Sequence, residues 1–273
     1  MIPDQINDQA RDDHATAGVT VATACVPAGQ RVYAIGDIHG RLDLLEPLAR
    51  AIEADDTTAP AAQTTVILLG DLIDRGADSK GVLDFARAWR QRRTVRILMG
   101  NHEEMFLDAF TDLEWLARLL PHGAYETLES YGIAVRGLDR DSLRHVQTAM
   151  AERIPEEDRR FMAGFEASVV IGDYLFVHAG IEPGIAVDRQ SERTLRWIRE
   201  PFLSHREPYS HVVVHGHTIR PQVEECPNRI GIDTGGYCYD VLTALVLEGG
   251  TRRFIQARGT GSAVTIETRA AAV

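Results

Sequence analysis

Val66-Ile67-Leu68-Leu69-Gly70-Asp71-Leu72-Ile73-Asp74-Arg75-Gly76 is the stretch on which the reading of this chain turns. Its first four side chains are consecutive and apolar, the pattern of a strand buried on both faces. Gly70 breaks the run, so Asp71 and Asp74 leave the strand's C-terminal end together. Open α/β sheets place their sites at such ends. Two carboxylates beside a buried strand need positive charge close by, and Arg75 is one side chain for two of them; a bound cation would supply the rest. A lone aspartate in this place reads as a turn or helix cap. The same design, however, recurs four more times.

Upstream, RVYAI from Arg31 forms a strand closed by Gly36, Asp37, Ile38, His39 and Gly40. A helix follows with Leu45, Leu48, Ala49 and Ile52 on one face. Downstream, Asp78 caps a helix carrying Val82, Ala86 and Trp89. TVRILMGNHEEMF then runs through Val95, Ile97 and Met99, breaks at Gly100 and presents Asn101 and His102. Helical segments fill the stretch from Glu103 to Phe161, including Trp115 to Leu120, Tyr125 to Ser130 and Leu143 to Met150. No motif is readable there, and substrate selectivity is expected to reside in it. DYLFVHAG ends at His178, and TLRWIREPF after it offers Arg199 near Trp197. HVVVHGHT ends at His215 and His217. RIGID, LTALVLE and RRFIQ read as antiparallel strands with turns at Gly235-Gly236 and Gly249-Gly250. Parallel β-α units followed by hairpins predict an α/β fold, a two-sheet β-sandwich flanked by helices.

With 273 residues, 44% of them hydrophobic, the chain can bury one full core. The expectation is a catalytic domain over 30–258, a loosely held polar extension over 1–29 and a C-terminal tail over 259–273. A net charge of -11 argues against general affinity for nucleic-acid backbone or anionic membrane. Cys25, Cys226 and Cys238 form no CxxC pair and no even framework, which fits a reducing compartment. No run approaches the roughly 18 apolar residues of a membrane span, and no basic segment precedes an apolar core at the N-terminus. These features predict a soluble, cytoplasmic protein without nucleic-acid or membrane partners.

Five strand ends thus present Asp37 and His39, Asp71 and Asp74, Asn101 and His102, His178, and His215 and His217. Half of the ten histidines fall within a residue or two of a strand-to-loop junction, which chance placement explains poorly. Mixed carboxylate, imidazole and amide-oxygen ligands suit manganese, iron, zinc or cobalt, not the all-oxygen shell of calcium or a thiolate zinc site. There are enough ligands for two ions about 3.5 to 4 Å apart around one shared carboxylate, the arrangement used to hydrolyse phosphate esters. Arg75 and Arg199 can fork onto phosphate oxygens, and His102 can protonate a leaving oxygen if Asp74 holds it.

In this order GDIHGR, GDLIDRG, GNHEE, HAG and HGHT, with RWIRE and IDTGG, resemble the signatures of the calcineurin-like metallophosphoesterases. The resemblance is strongest to the phosphoprotein phosphatase branch with its small bacterial and bacteriophage-lambda type members, and it runs from about Arg31 to Phe254. It implies an α/β/β/α sandwich around two divalent ions, most often assayed as manganese. Carried over by motif, Asp37 and His39 bind the first ion, Asp71 bridges, and Asn101, His178 and His217 bind the second. Asp74 and His102 form the acid pair, and Arg75 and Arg199 hold phosphate. Thr194 and Arg196 replace an acidic and an apolar residue usual before the Trp of the arginine motif. His215 stands where the family has a non-histidine, and LLPHGAYETLESYG only partly matches an NGG-type helix start. The implied function is a metal-dependent phosphomonoesterase acting on phosphorylated protein or a small phosphoester, foremost a protein Ser/Thr phosphatase. The alternative is a symmetrical diadenosine tetraphosphate hydrolase; a phosphodiesterase and a non-catalytic scaffold rank behind.

Overall fold

Apolar runs become strands and the segments after them become helices throughout the computed structural model, which describes residues 18–271. The first half runs β1 (Gln30–Ile35), α1 (Leu42–Thr58), β2 (Gln63–Leu68), α2 (Ser79–Arg90), β3 (Val95–Ile97) and α3 (Asn101–Asp108). A helical insertion follows: α4 (Leu113–Leu119), α5 (Ala124–Ser130), α6 (Arg140–Arg153) and α7 (Glu156–Ala163). The second half runs β4 (Ser168–Ile171), β5 (Tyr174–Val177), α8 (Glu192–Trp197), β6 (Val212–His215), β7 (Glu224–Cys226), β8 (Arg229–Gly231) and α9 (Gly236–Tyr239). Three long strands close the chain: β9 (Val241–Glu248), β10 (Thr251–Arg258) and β11 (Thr265–Ala270).

Two sheets result, in the orders β11-β10-β9-β1-β2-β3 and β4-β5-β6-β8-β7. Side-chain alternation explains how they stack. Val32, Ala34, Ile67 and Leu69 of the first sheet meet Tyr174, Phe176, Val212, Val214 and Ile230 of the second in one buried layer. Tyr33, Ile35, Val66 and Leu68 face the other way, onto Leu45, Leu48, Ile52, Val82 and Trp89 of α1 and α2. On the far side of the second sheet, Leu175, Val177 and Val213 pack with Leu195 and Phe202. The fold is therefore α/β, two packed sheets flanked by helices. Val66 to Leu69 are fully buried, so the strand that opened the sequence reading lies inside on both faces.

β1, β2 and β3 run parallel, as do β5, β6 and β8. Both sets of C-terminal ends reach one edge of the sandwich. Backbone bonds lock them there: His39 N–H to Asp71 O at 2.8 Å, Gly216 N–H to His178 O at 2.8 Å and Ile232 N–H to His215 O at 2.9 Å. This edge is where the candidate residues converge.

Four features differ from the sequence reading. RIGID is not part of a terminal hairpin. Its β8 pairs parallel with β6, with Gly231 opposite His215, and antiparallel with β7. The tail beyond residue 258 includes a strand, since β11 pairs with β10 from Arg258↔Thr265 to Arg253↔Ala270. Residues 18–29 are anchored: Val21, Ala24 and Val26 are buried between the sheets, and Val19 N–H bonds to Tyr209 O at 2.9 Å. The rest of the expected extension lies outside the described residues. β4, unread in the sequence, forms a hairpin with β5 across Gly172 and Asp173. No helix among the described residues is long and apolar enough to cross a membrane.

Candidate active site

Left-handed backbone marks the site. Among the described residues, six non-glycines have positive φ, and five of them are His39, Asp71, Asp74, Arg75 and His217, with φ of 46°, 49°, 73°, 71° and 61°. Each costs on the order of 1 kcal/mol or more and persists only where surroundings over-determine it. Glu103 is part of that surrounding. Its buried carboxylate accepts the N–H of Leu72 at 2.7 Å and those of Asp71 and Gly100 at 3.0 Å each. Burial, with the Asp71 charge adding to it, pushes Glu103 up to about 7.

Asp71 is the hub. From its Oδ2, His178 Nε2 lies at 3.4 Å, His39 Nε2 at 3.6 Å and His102 Nε2 at 3.9 Å. His39, Asp71 and His102 form one set of converging donor atoms, and Asp71, His178 and His217 form another. Asp37 joins from the neighbouring strand end, where its Oδ2 accepts the His217 backbone N–H at 3.0 Å. Asn101 Oδ1 is 3.0 Å from His178 Nε2. The structure therefore brings Asp37, His39, Asp71, Asn101, His178 and His217 to one place.

Neighbours fix the imidazole tautomers. His39 Nδ1–H donates to Ile73 O and His178 Nδ1–H to Leu69 O, each at 2.8 Å, so both Nε2 atoms carry lone pairs turned toward Asp71. Burial lowers the pKa of His39 and His178 and takes His217 down to about 2, with His178 adding to the last. Burial works against the Asp71 charge, but the four surrounding imidazoles, His178 first, hold its carboxyl well below the usual range. Neutral histidines around an ionised aspartate are the protonation states that divalent metals require.

A cation fits these residues on three observations. The His178 Nε2 lone pair faces the Asn101 oxygen, acceptor against acceptor. Asp37 Oδ1 is buried without a hydrogen-bond partner. Burial, then the charges of Asp233 and Asp71, push the Asp37 carboxyl well above its ordinary value, as expected of an acid lacking its counter-charge. Glycine admits this crowding: a Cβ on Gly100 would overlap Asp71 Oδ1 and its amide, and one on Gly216 would overlap Asp37 Oδ1. Gly100→Ala is accordingly expected to cost about 2 kcal/mol of stability and to weaken divalent-metal binding, read by thermal melting and metal titration.

The other candidates line the mouth. His102 Nδ1 bonds to Asp74 Oδ2 at 2.7 Å. Burial opposes its charge, yet the Asp71 and Asp74 carboxylates prevail and raise its pKa. Arg75 donates to His39 Nε2 at 2.8 Å, its other terminal nitrogen lies 3.1 Å from His102 Nε2, and its guanidinium lies 4.5 Å over the Tyr237 ring. Arg199 is exposed and donates to Thr218 Oγ1 at 3.1 Å. Asp71, Arg75, Asn101, His102, Arg199 and His217 share a cleft of about 190 Å³, walled by Met105, His122 and Trp197. His215 is outside it. Its ring is buried edge-on to Phe202, its Nδ1–H donates to Gly216 O at 3.0 Å, and burial lowers its pKa to about 4.

Three residues that the reading left without a role adjoin the site. Glu103 and Asp233 sat in the quoted GNHEE and IDTGG motifs, a signal that could have singled them out. Asp233 is buried with Oδ2 unpartnered, and burial, against the bond it accepts from Gly235 N–H, pushes it up to about 6. Thr127, within LLPHGAYETLESYG, the stretch that only partly matches an NGG-type helix start, touches Asp74.

Residues 30–243 match the family model described as calcineurin-like phosphoesterase. The chain is 32% identical over 174 residues to a symmetrical bis(5'-nucleosyl)-tetraphosphatase of Janthinobacterium sp. (strain Marseille), a match covering 60% of this chain and 51% of that protein. It is 38% identical over 81 residues to serine/threonine-protein phosphatase 1 of Salmonella typhimurium, covering 29% and 33%. The chain thus spans about half the length of the first relative and a third of the second. Its fold is similar to the crystal structure of a putative diadenosine tetraphosphatase (TM-score 0.59, 22% identity, 86% of this chain and 98% of that one). It is also similar to a cold-active protein-tyrosine phosphatase of a psychrophilic Shewanella species (TM-score 0.53, 19% identity, 95% and 88%). Because the family match spans every strand end that contributes to the cleft, from Asp37 to His217, this chain belongs to the calcineurin-like phosphoesterases.

Proposed function

We propose that this protein is a metal-dependent phosphomonoesterase, and that its substrates are phosphorylated Ser or Thr residues of proteins. The observation that carries the reading is the shared position of Asp71 between two sets of donor atoms, at the floor of a cleft whose mouth holds Arg75, Arg199 and His102. Asp37 and His39 would hold one divalent ion, Asn101, His178 and His217 a second, and Asp71 both. Manganese suits this mixed set, and iron, zinc or cobalt would also be accepted. Such ions, when bound, polarise the phosphoryl group and lower the pKa of water.

The remaining side chains bind and orient. Arg75 and Arg199 hold the phosphoryl oxygens, and Arg75 exchanges its N–H contact to His39 Nε2 for these charged acceptors. His102 delivers a proton from Nε2 to the leaving oxygen, with Asp74 fixing the ring through Nδ1. A cleft of about 190 Å³ has room for one phosphoryl group beside these side chains.

The second reading, symmetrical cleavage of diadenosine tetraphosphate, is favoured by the similarity to the Janthinobacterium tetraphosphatase. One comparison separates the two. With manganese supplied, inorganic phosphate from a phosphoserine peptide and ADP from diadenosine tetraphosphate are measured side by side. Faster turnover of the peptide supports the monoesterase; ADP production without phosphate release replaces it with the second reading.

A further inference from the structure

The helical insertion reaches into the Asp74-Arg75 turn at its deepest point. Thr127 of α5 is fully buried, and its hydroxyl donates to Asp74 Oδ1 at 2.6 Å. The other Asp74 oxygen, Oδ2, is the one bonded to His102 Nδ1. The same Thr127 oxygen accepts the Asp74 backbone N–H at 2.8 Å and lies 2.8 Å from the Ser79 hydroxyl, whose oxygen also accepts that N–H at 3.0 Å. Every polar atom of this small network is used. One turn before Thr127, Gly123 O accepts the Arg75 N–H at 2.8 Å. The start of α5 therefore grips both residues of a turn that has left-handed backbone at Asp74 and at Arg75.

We propose that Thr127 is a positioning residue for leaving-group protonation: by occupying Oδ1 of Asp74 it aims Oδ2 at His102, and so holds the imidazole's Nε2 toward the cleft. This rests on the acid assignment given under Proposed function. No bond changes at Thr127 itself; it touches neither substrate nor the transferred proton. Without its hydroxyl, Asp74 Oδ1 loses its side-chain donor in a buried site, and the carboxylate is free to rotate in search of another.

Thr127→Val replaces the hydroxyl by a methyl of similar size, and Thr127→Ser restores the hydroxyl alone. The readout is the ratio of kcat/KM on phenyl phosphate, a poor leaving group, to that on p-nitrophenyl phosphate, a good one. Both are measured on one manganese-loaded sample, so any loss of folded protein cancels. For Thr127→Val the ratio is expected to fall on the order of tenfold, through kcat and not KM, with the wild-type ratio returning in Thr127→Ser. A wild-type ratio in Thr127→Val, or a fall in Thr127→Ser equal to that in Val, overturns the proposal. His102→Asn serves as the reference. If it lowers the ratio and Thr127→Val does not, the positioning role alone fails; if His102→Asn leaves the ratio unchanged, the acid assignment fails and the proposal with it.

Discussion

Asp71→Asn is expected to remove metal-dependent phosphoester hydrolysis by on the order of a thousandfold or more, equivalent to about 4 kcal/mol of transition-state stabilisation. The reason lies in the geometry. Oδ2 of Asp71 is 3.6 Å from His39 Nε2 and 3.4 Å from His178 Nε2, one from each half of the donor set, so one neutralised oxygen weakens both halves at once. Asparagine keeps the shape but offers one neutral oxygen and an N–H donor. In the metal-free chain that donor can bond the His178 lone pair, so the variant should melt no earlier than wild type. Added manganese should then separate them. A cation present at a hundred times its dissociation constant stabilises the wild-type chain by about 2.7 kcal/mol, and the variant should lose most of that shift. Kinetics and melting curves in matched chelator and manganese buffers give both quantities. A variant retaining the metal-induced shift would show that Asp71 is not the shared ligand.

His102→Asn should cost about a hundredfold or more on a phosphoserine peptide and less than about tenfold on p-nitrophenyl phosphate. A serine alkoxide is strongly basic and needs a proton as the phosphorus-oxygen bond breaks, whereas nitrophenolate carries its own charge. His102 is placed for that task because its Nδ1 is committed to Asp74 at 2.7 Å, leaving Nε2 for the cleft. The Asp74 carboxylate bonded to Nδ1 works against burial and favours the protonated ring. Asp74→Asn should reproduce the pattern more weakly, since it removes only the group that orients the ring. Metal content should be unchanged in both. Equal losses on the two substrates would place His102 in phosphate binding, and loss of a bound ion would make it a ligand.

How much of this was legible beforehand depends on distance along the chain. Val66 to Leu69 announced a doubly buried strand because apolar continuity is local, and Asp71 and Asp74 followed it because a glycine marks where a strand can stop. Each expected ligand adjoined such a break, so the converging set could be read before its geometry was known. β8 could not be placed that way. RIGID alternates like a hairpin strand, and only the pairing of Gly231 with His215 puts it in the second sheet. Val21 and Val26 looked like scattered apolar residues in a polar extension; they are buried because Tyr174 and Phe254 come to them from far away in sequence. Thr127 is the extreme case, a threonine in an unremarkable helix whose partner lies 53 residues upstream. Glu103 and Asp233 were visible as letters of motifs, but a buried acid's role depends on which amides and charges surround it.

The central claim is that one shared carboxylate organises a two-cation phosphoesterase centre. Its most direct test is a manganese titration of the chelator-stripped chain, with bound metal and p-nitrophenyl phosphate turnover followed in the same samples. Two ions per chain are expected, with turnover that is absent without metal and rises as the second ion binds, and loss of both on renewed chelation. Full turnover by the stripped chain, or saturation at fewer than two ions with activity complete, would contradict it.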